Sequence, residues 1–209
     1  MEPTTSPFPG RRPATYQDLL ALPEHVTGEL IDGVVYVMPR PRLRHTSAFS
    51  AILGDLGTAF GRRRPRSGPG GWILLGEPEL HLGVPAADSL VLVPDIAGWR
   101  RERMQEVPDT AATALVPDWV CEILSPGRES HDRVRKLAAY GRVGVRWYWI
   151  VDADQRSIEV YERDGAVWRV HDGVVDVEQA RILPFDVVEF DISEWWAVGV
   201  PEVSVVSEP

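Results

Sequence analysis

The chain has 209 residues, 44% of them hydrophobic, which is the length of one domain with a proper core. Its lone cysteine, Cys121, excludes a disulfide framework and a cysteine-based zinc site. The net charge of −9 is concentrated between Ile150 and Pro209, where 14 acidic residues outweigh 4 basic ones, so it does not exclude a nucleic-acid-binding face on the remainder, whose net charge is +1.

Residues 1–13 are rich in Pro, Thr and Ser and read as a disordered tail without the apolar core of a secretory signal. TYQDLLALP reads as a first helix, with Thr15 as N-cap and Asp18 near the third position. GELIDGVVYVMP reads as a hairpin turning at Asp32-Gly33. A second helix is expected from about His45 to Phe60, with Phe49, Ile52, Leu53, Leu56 and Phe60 on one face. WILL, PELHL and SLVLVPD read as successive strands, the last ending at Asp95. WRRERMQEVPDTAATA has no period and is expected to be a long, mobile connection.

VPDWVCEIL is apolar on both faces and should be a central strand. Cys121 alternates away from Glu122 and reads as a small core residue. HDRVRKLAAYGR reads as a third helix, with Val134, Leu137 and Ala138 towards the core. RWYWIVD and SIEVYE form a hairpin, with Trp147, Tyr148 and Trp149 in sheet core or a dimer contact. Short strand-like segments follow, then a small helix at DISEWWAV. The pattern is α/β (α+β), a mixed sheet with helices packed on it, as one domain over 14–200 with a tail at 201–209. The apolar run around Trp119–Leu124 is too short to cross a membrane, so a cytoplasmic protein without a membrane partner is expected.

Glu122 sits in the middle of an apolar strand, where an ionised carboxylate is costly unless paired or bound to a metal. If the strand before Pro94-Asp95 is its neighbour, both carboxylates reach one point, where they repel unless a cation or proton intervenes. All-oxygen ligation suits Mg²⁺ or Mn²⁺. The competing reading pairs Glu122 with a buried arginine and makes Asp95 a turn cap.

Lys136 is the only lysine in a chain with 21 arginines. It shares a helix face with Asp132 and Tyr140 at i, i+4 spacing. A lysine can orient or activate a water beside a metal, which arginine does poorly; the alternative is a solvated surface lysine. His45 lies near Arg40, Arg42 and Arg44, and could approach phosphate or simply start a helix. The arginine groups at 62–66 and 100–103 could grip phosphates or be solvated surface.

The stretches GELIDGVVYVMPRP, LVPDIAGW and PDWVCEILSPGRESHDRVRKLAAYGRVGVRWYWIVD resemble the Uma family of bacterial endonucleases, over about Tyr16 to Val200. That family belongs to the PD-(D/E)XK, restriction-endonuclease-like superfamily. The resemblance implies a central mixed sheet flanked by helices and Mg²⁺-dependent cleavage of DNA phosphodiesters. Asp95 matches the aspartate of the Pro-Asp motif and Glu122 the second acid, the pair that holds the metal. The superfamily's lysine two residues later is Leu124 here; Lys136 matches a lysine moved to the following helix. Glu29 in GELIDG matches an early glutamate that completes the catalytic set. Asp118 matches a frequent aspartate, read as a residue that supports the metal-holding acids or marks the strand entry, with His45 and Tyr140 as further supporting residues. Trp147 stands where an acidic residue is common.

The resemblance leaves three functions open: a DNA endonuclease, a nuclease of RNA, and a catalytically weak binding protein on the same fold. The Trp-rich C-terminal half suits a homodimer.

Overall fold

The computed structural model describes residues 12–38, 40–61, 68–83, 90–127, 129–171 and 173–196. Most of the predicted tails, and the arginines at 62–66, lie outside these residues. Helix α1 (Tyr16–Leu20) starts where expected, with the Asp18 carboxylate accepting the Thr15 backbone N–H at 2.7 Å. Strands β1 (Thr27–Ile31) and β2 (Val34–Met38) form the predicted hairpin. Asp32 and Gly33 at its tip both have positive φ, 51° and 71°, as a tight hairpin turn demands. Helix α2 (Leu43–Leu56) runs into a π turn, Gly57–Gly61.

The middle of the chain supplies β3 (Trp72–Gly76), β4 (Glu79–Leu82), β5 (Leu90–Leu92), β6 (Ile96–Arg100), β7 (Ala112–Thr113) and β8 (Trp119–Ile123). A π turn at His131–Lys136 leads into α3 (Leu137–Val143). Then come β9 (Trp147–Asp152), β10 (Ser157–Asp164) and β11 (Val167–Val170). Three two-residue strands and a 3₁₀ turn at Ser193–Trp195 close the described chain.

These strands make two large sheets. The first has the order β2-β1-β5-β4-β7, the second β11-β10-β9-β8-β6-β3. Neighbours are antiparallel except β4–β7 and β8–β9, so the architecture is mixed. Strand β8 lies inside the second sheet and all of its residues are buried. Its side chains alternate between two layers. Trp119, Cys121 and Ile123 join Ile52 and Leu56 of α2 and Phe185 and Trp195 of the C-terminal segment. Val120 faces the first sheet and α3, among Leu80, Leu92, Ala139 and Tyr140. Glu122, two residues on, shares that second face. Among the described residues no helix is long and apolar enough to cross a membrane.

Two expectations need correction. Residues 99–114 are not a mobile connection. Trp99 and Arg100 finish β6, Met104 is buried, and Ala112–Thr113 pair in parallel with β4. The segment lacks a period because isolated anchors hold it, such as Trp99 Nε1 donating to Leu115 O at 2.9 Å. The third helix also turns a different face inward. Val134 is 64% exposed and Ala138 is exposed, whereas His131, Asp132, Lys136, Ala139 and Tyr140 are buried. The layer it covers carries carboxylates, so charge pairing overrides the apolar stripe.

Gly98 shows how tightly the second sheet is packed. A Cβ there would lie 2.9 Å from Leu74 Cδ2 and 3.1 and 3.2 Å from the rings of Trp119 and Trp72. Gly98→Ala should therefore destabilise the protein by about 1–3 kcal/mol through overpacking. Gly54→Ala, in α2 with nothing within 4 Å, should instead gain up to about 1 kcal/mol of helix propensity. Urea unfolding of the two variants measures the contrast, and equal effects would contradict it.

Candidate active site

Strands β6 and β8 are antiparallel neighbours with Ile96 opposite Cys121. One step along that register sets Asp95 beside Glu122. The contact is tied by the backbone, since Ile123 N–H donates to Asp95 Oδ2 at 2.6 Å. Asp95 does not end the strand that precedes it, as the sequence suggests. Strand β5 stops at Leu92 in the first sheet; the chain crosses at Val93-Pro94, and Asp95 leads into β6 of the second. The other oxygen of Asp95, Oδ1, lies 2.9 Å from His45 Nε2, and Nδ1 of that ring lies 3.2 Å from Ser125 Oγ. His45, at the start of α2, is thus a support for Asp95.

Lys136 arrives from the helical layer. Its Nζ lies 2.8 Å from Glu122 Oε1 and 2.9 Å from Glu29 Oε1, with Asp132 Oδ1 further away at 3.9 Å. Glu122 therefore pairs with this lysine and not with a buried arginine. Tyr140, one turn along, donates its hydroxyl to Glu122 Oε1 at 2.9 Å. Glu29 is held three ways: by Lys136, by Val93 N–H donating to Oε1 at 3.0 Å, and by His131 Nε2 at 3.1 Å from Oε2. Sequence reading singles out Glu29, Lys136 and Tyr140 but misses His131. In α-helical numbering His131 and Lys136, five apart, fall on different faces; the π turn brings both inward.

Asp95, Glu122, Asp132, Lys136, His45 and Glu77 line one cleft of about 140 Å³, with His25 and Arg40 at its rim. Asp118 does not line it. Its carboxylate sits at the entry of β8, accepting Arg100 N–H at 2.8 Å and pairing with Arg103 at 2.6 Å. Arg100 stacks over Trp72 at 4.1 Å, and Arg101 donates to Gly61 O, so the loop arginines after β6 are committed to structure. Trp147 and Cys121 are core residues.

The electrostatics follow from burial and crowding. Burial pushes the Glu122 carboxyl well above the usual range; Lys136 opposes this, while Asp95, Asp132 and Glu29 add to it. Burial pushes Glu29 the same way, but Lys136, His131 and the Val93 N–H outweigh it and hold its carboxyl below the usual value. Two partners of one ammonium thus move in opposite directions. Glu29 has three donors, Lys136, His131 and the Val93 N–H, whereas Glu122 has two, Lys136 and Tyr140, and is crowded by Asp95, Asp132 and Glu29. Burial alone would lower the Lys136 ammonium; Glu122, Glu29, Asp132 and Asp95 reverse it and hold the proton on nitrogen. Burial also raises Asp132. Burial lowers the His45 imidazolium, but its bond to Asp95 carries it above the usual histidine value.

The donor set is all oxygen and carries excess negative charge. Four carboxylates (Glu29, Asp95, Glu122 and Asp132) surround the one ammonium. Among the described residues no three His, Cys, Asp or Glu converge as a complete metal cage. These features fit a hard divalent cation that binds through one or two carboxylates and keeps several waters. They do not fit a closed zinc site.

Removing the ammonium tests this balance. Lys136→Met would strand two buried carboxylates, at a cost of about 3–5 kcal/mol. The carboxyl of Glu122, already raised by burial, would bind a proton in the folded state at a pH where the unfolded chain has lost it. Folding then takes up protons, so stability rises as pH falls. Urea unfolding should show a large deficit at pH 8 that narrows at pH 5. A deficit independent of pH would mean that the carboxylates do not depend on Lys136.

The family whose model matches residues 13–193 is Uma2, described as "Putative restriction endonuclease". The fold is also that of a solved protein from Anabaena variabilis ATCC 29413, described as a "putative nuclease belonging to DUF820". The two are 21% identical with a TM-score of 0.68, over 88% of this chain and 98% of that one. At that identity the likeness speaks for the fold alone. No curated protein matches the sequence. The family match runs from before α1 to the 3₁₀ turn and includes every residue that lines the cleft. The chain belongs to the Uma2 family.

Proposed function

We propose that this protein is a metal-dependent nuclease that hydrolyses phosphodiester bonds of DNA. The observation that carries the reading is the meeting of Asp95 and Glu122 from adjacent strands in one cleft, with the Lys136 ammonium bonded to Glu122. The description of the Uma2 family as restriction endonucleases favours DNA as the substrate.

Asp95 and Glu122 are the residues to hold Mg²⁺ or Mn²⁺. An ion held there would supply Lewis acidity at the scissile phosphate and make a nearby water more acidic. His45 and the Ile123 N–H fix the Asp95 carboxylate, so its orientation costs nothing when substrate arrives. Lys136 keeps its proton and so acts as a cation, not as a base. Two of its three N–H donors go to Glu29 and Glu122, which leaves one for an attacking water or a phosphate oxygen. Glu29 and Tyr140 are positioning residues, the first holding the lysine and the second the Glu122 carboxylate.

Titration calorimetry with Mn²⁺ tests the metal step. Wild type should bind. Asp95→Ala and the near-isosteric Glu122→Gln should lose most of the binding and all nicking of supercoiled plasmid. A wild-type protein that takes up no Mn²⁺ would end the proposal. A second test concerns the lone lysine. Lys136→Arg keeps the charge but swaps a compact ammonium for a planar fork between two fixed carboxylates. Its nicking rate should fall by about 10²–10³-fold, the loss expected for one electrostatic donor. Mn²⁺ affinity within a few-fold of wild type would locate the defect in the chemical step. Unchanged nicking would remove Lys136 from the mechanism.

A further inference from the structure

The cleft poses a problem for its substrate. Asp95, Glu122, Asp132 and Glu77 line it, a wall of carboxyl groups that does not attract a polyanion. A single bound dication offsets only part of that charge. The cationic side chains lining the cleft are His25, Arg40, His45 and Lys136. Lys136 divides its charge between Glu29 and Glu122 and has one N–H left, which serves the reacting phosphate, and His45 is bonded to Asp95. Among the described residues that leaves His25 and Arg40, and of these only Arg40 carries a permanent charge.

Arg40 lies between β2 and α2 and is exposed. Its side chain makes no ion pair or hydrogen bond among the described residues, unlike Arg44, which pairs with Asp154 at 3.1 Å. The following Pro41, also on the cleft wall, restricts the Arg40 backbone to extended conformations. The guanidinium is thus presented from a stiffened link, and among the described residues no acid neutralises it. Its planar fork of donors matches two oxygens of one phosphate.

We infer that Arg40 is a substrate-binding residue that grips a backbone phosphate of the nucleic acid at the mouth of the cleft. The inference rests on the nuclease reading. It adds a contact that neither the metal-holding acids nor Lys136 supply. It is a contact to backbone phosphate, so it raises affinity without selecting sequence.

The test uses the full chain and a labelled 20-base-pair duplex, with Ca²⁺ in place of Mg²⁺, followed by fluorescence anisotropy at several salt concentrations. Arg40→Ala should weaken duplex binding about 10-fold or more, as loss of a charge-assisted bond predicts. The slope of log affinity against log salt should fall by about 0.9, the signature of one lost phosphate contact. Arg40→Lys should restore the slope and part of the affinity. Arg42→Ala, which removes an exposed arginine that does not line the cleft, should stay within twofold of wild type. Mn²⁺ affinity of Arg40→Ala, read by calorimetry, should equal that of wild type. The inference is overturned if Arg40→Ala binds duplex as wild type does, if Arg42→Ala loses as much, or if wild type binds Mn²⁺ but no duplex. Loss of Mn²⁺ binding by wild type itself would count against the nuclease reading.

Discussion

The structure turns on one buried ammonium group. Lys136 Nζ, from the helical layer, bonds to Glu29 of the first sheet and Glu122 of the second. Three layers of the molecule therefore meet at a single nitrogen. All three side chains are almost fully enclosed, with exposures of 1%, 0% and 3%. Taking such charges out of water costs several kcal/mol each, and mutual attraction returns that only when geometry and additional hydrogen bonds are good. Here Tyr140, His131 and the Val93 N–H provide those bonds. An apolar plug of similar volume would stabilise the interface at least as well, so stability alone gives no reason for the cluster. The proposed metal-holding role of Asp95 and Glu122 does.

The crossover between β5 and β6 does the complementary work. Val93 N–H holds Glu29, the Asp95 carbonyl accepts Glu77 N–H at 2.8 Å, and the Asp95 carboxylate accepts Ile123 N–H. A three-residue link thus pins both sheets where their edges approach the cleft. Pro94 at its centre has no N–H to satisfy, which suits a chain leaving one sheet for another. Asp95 is consequently fixed by one backbone N–H and one imidazole, whereas Glu122 is fixed by the Lys136 and Tyr140 side chains. The Glu122 carboxyl, by contrast, feels its charged neighbours directly: Lys136 lowers it, while Asp95, Asp132 and Glu29 raise it.

Much of this could be read in the sequence, for reasons that differ by residue. Glu122 stands out because an acid in an apolar strand has to be explained. Lys136 stands out as a single lysine among arginines. The Thr15–Asp18 cap and the Asp32-Gly33 turn follow local rules that tertiary packing did not override. What could not be read involves choices that local pattern leaves undetermined. SLVLVPDIAGW contains two short apolar strands around a proline, and nothing in their composition says that they belong to different sheets. His131 and the true inward face of the third helix were hidden by the π turn, whose extra residue shifts every side chain after it relative to an α-helical wheel. Residues 99–114 are ordered by single contacts, which leave no period to detect.

The position of the lysine links fold to chemistry. Two residues after Glu122, where the related motif places it, stands Leu124, packed in the core with its N–H bonded to Val151 O at 2.8 Å. A lysine on the strand would be positioned by β8 alone. A lysine on the helix is positioned by whatever sets the helix against both sheets, and here that is the pair of carboxylates themselves. The ammonium therefore reports the packing of three layers, and a shift of either sheet alters its distance to one acid before the other. Glu29, which does not line the cleft, gains its importance this way: it lies 2.9 Å from the ammonium and competes for it with Glu122 at 2.8 Å. The charge of the ammonium is thereby divided between two acids, so Lys136 alone does not neutralise Glu122.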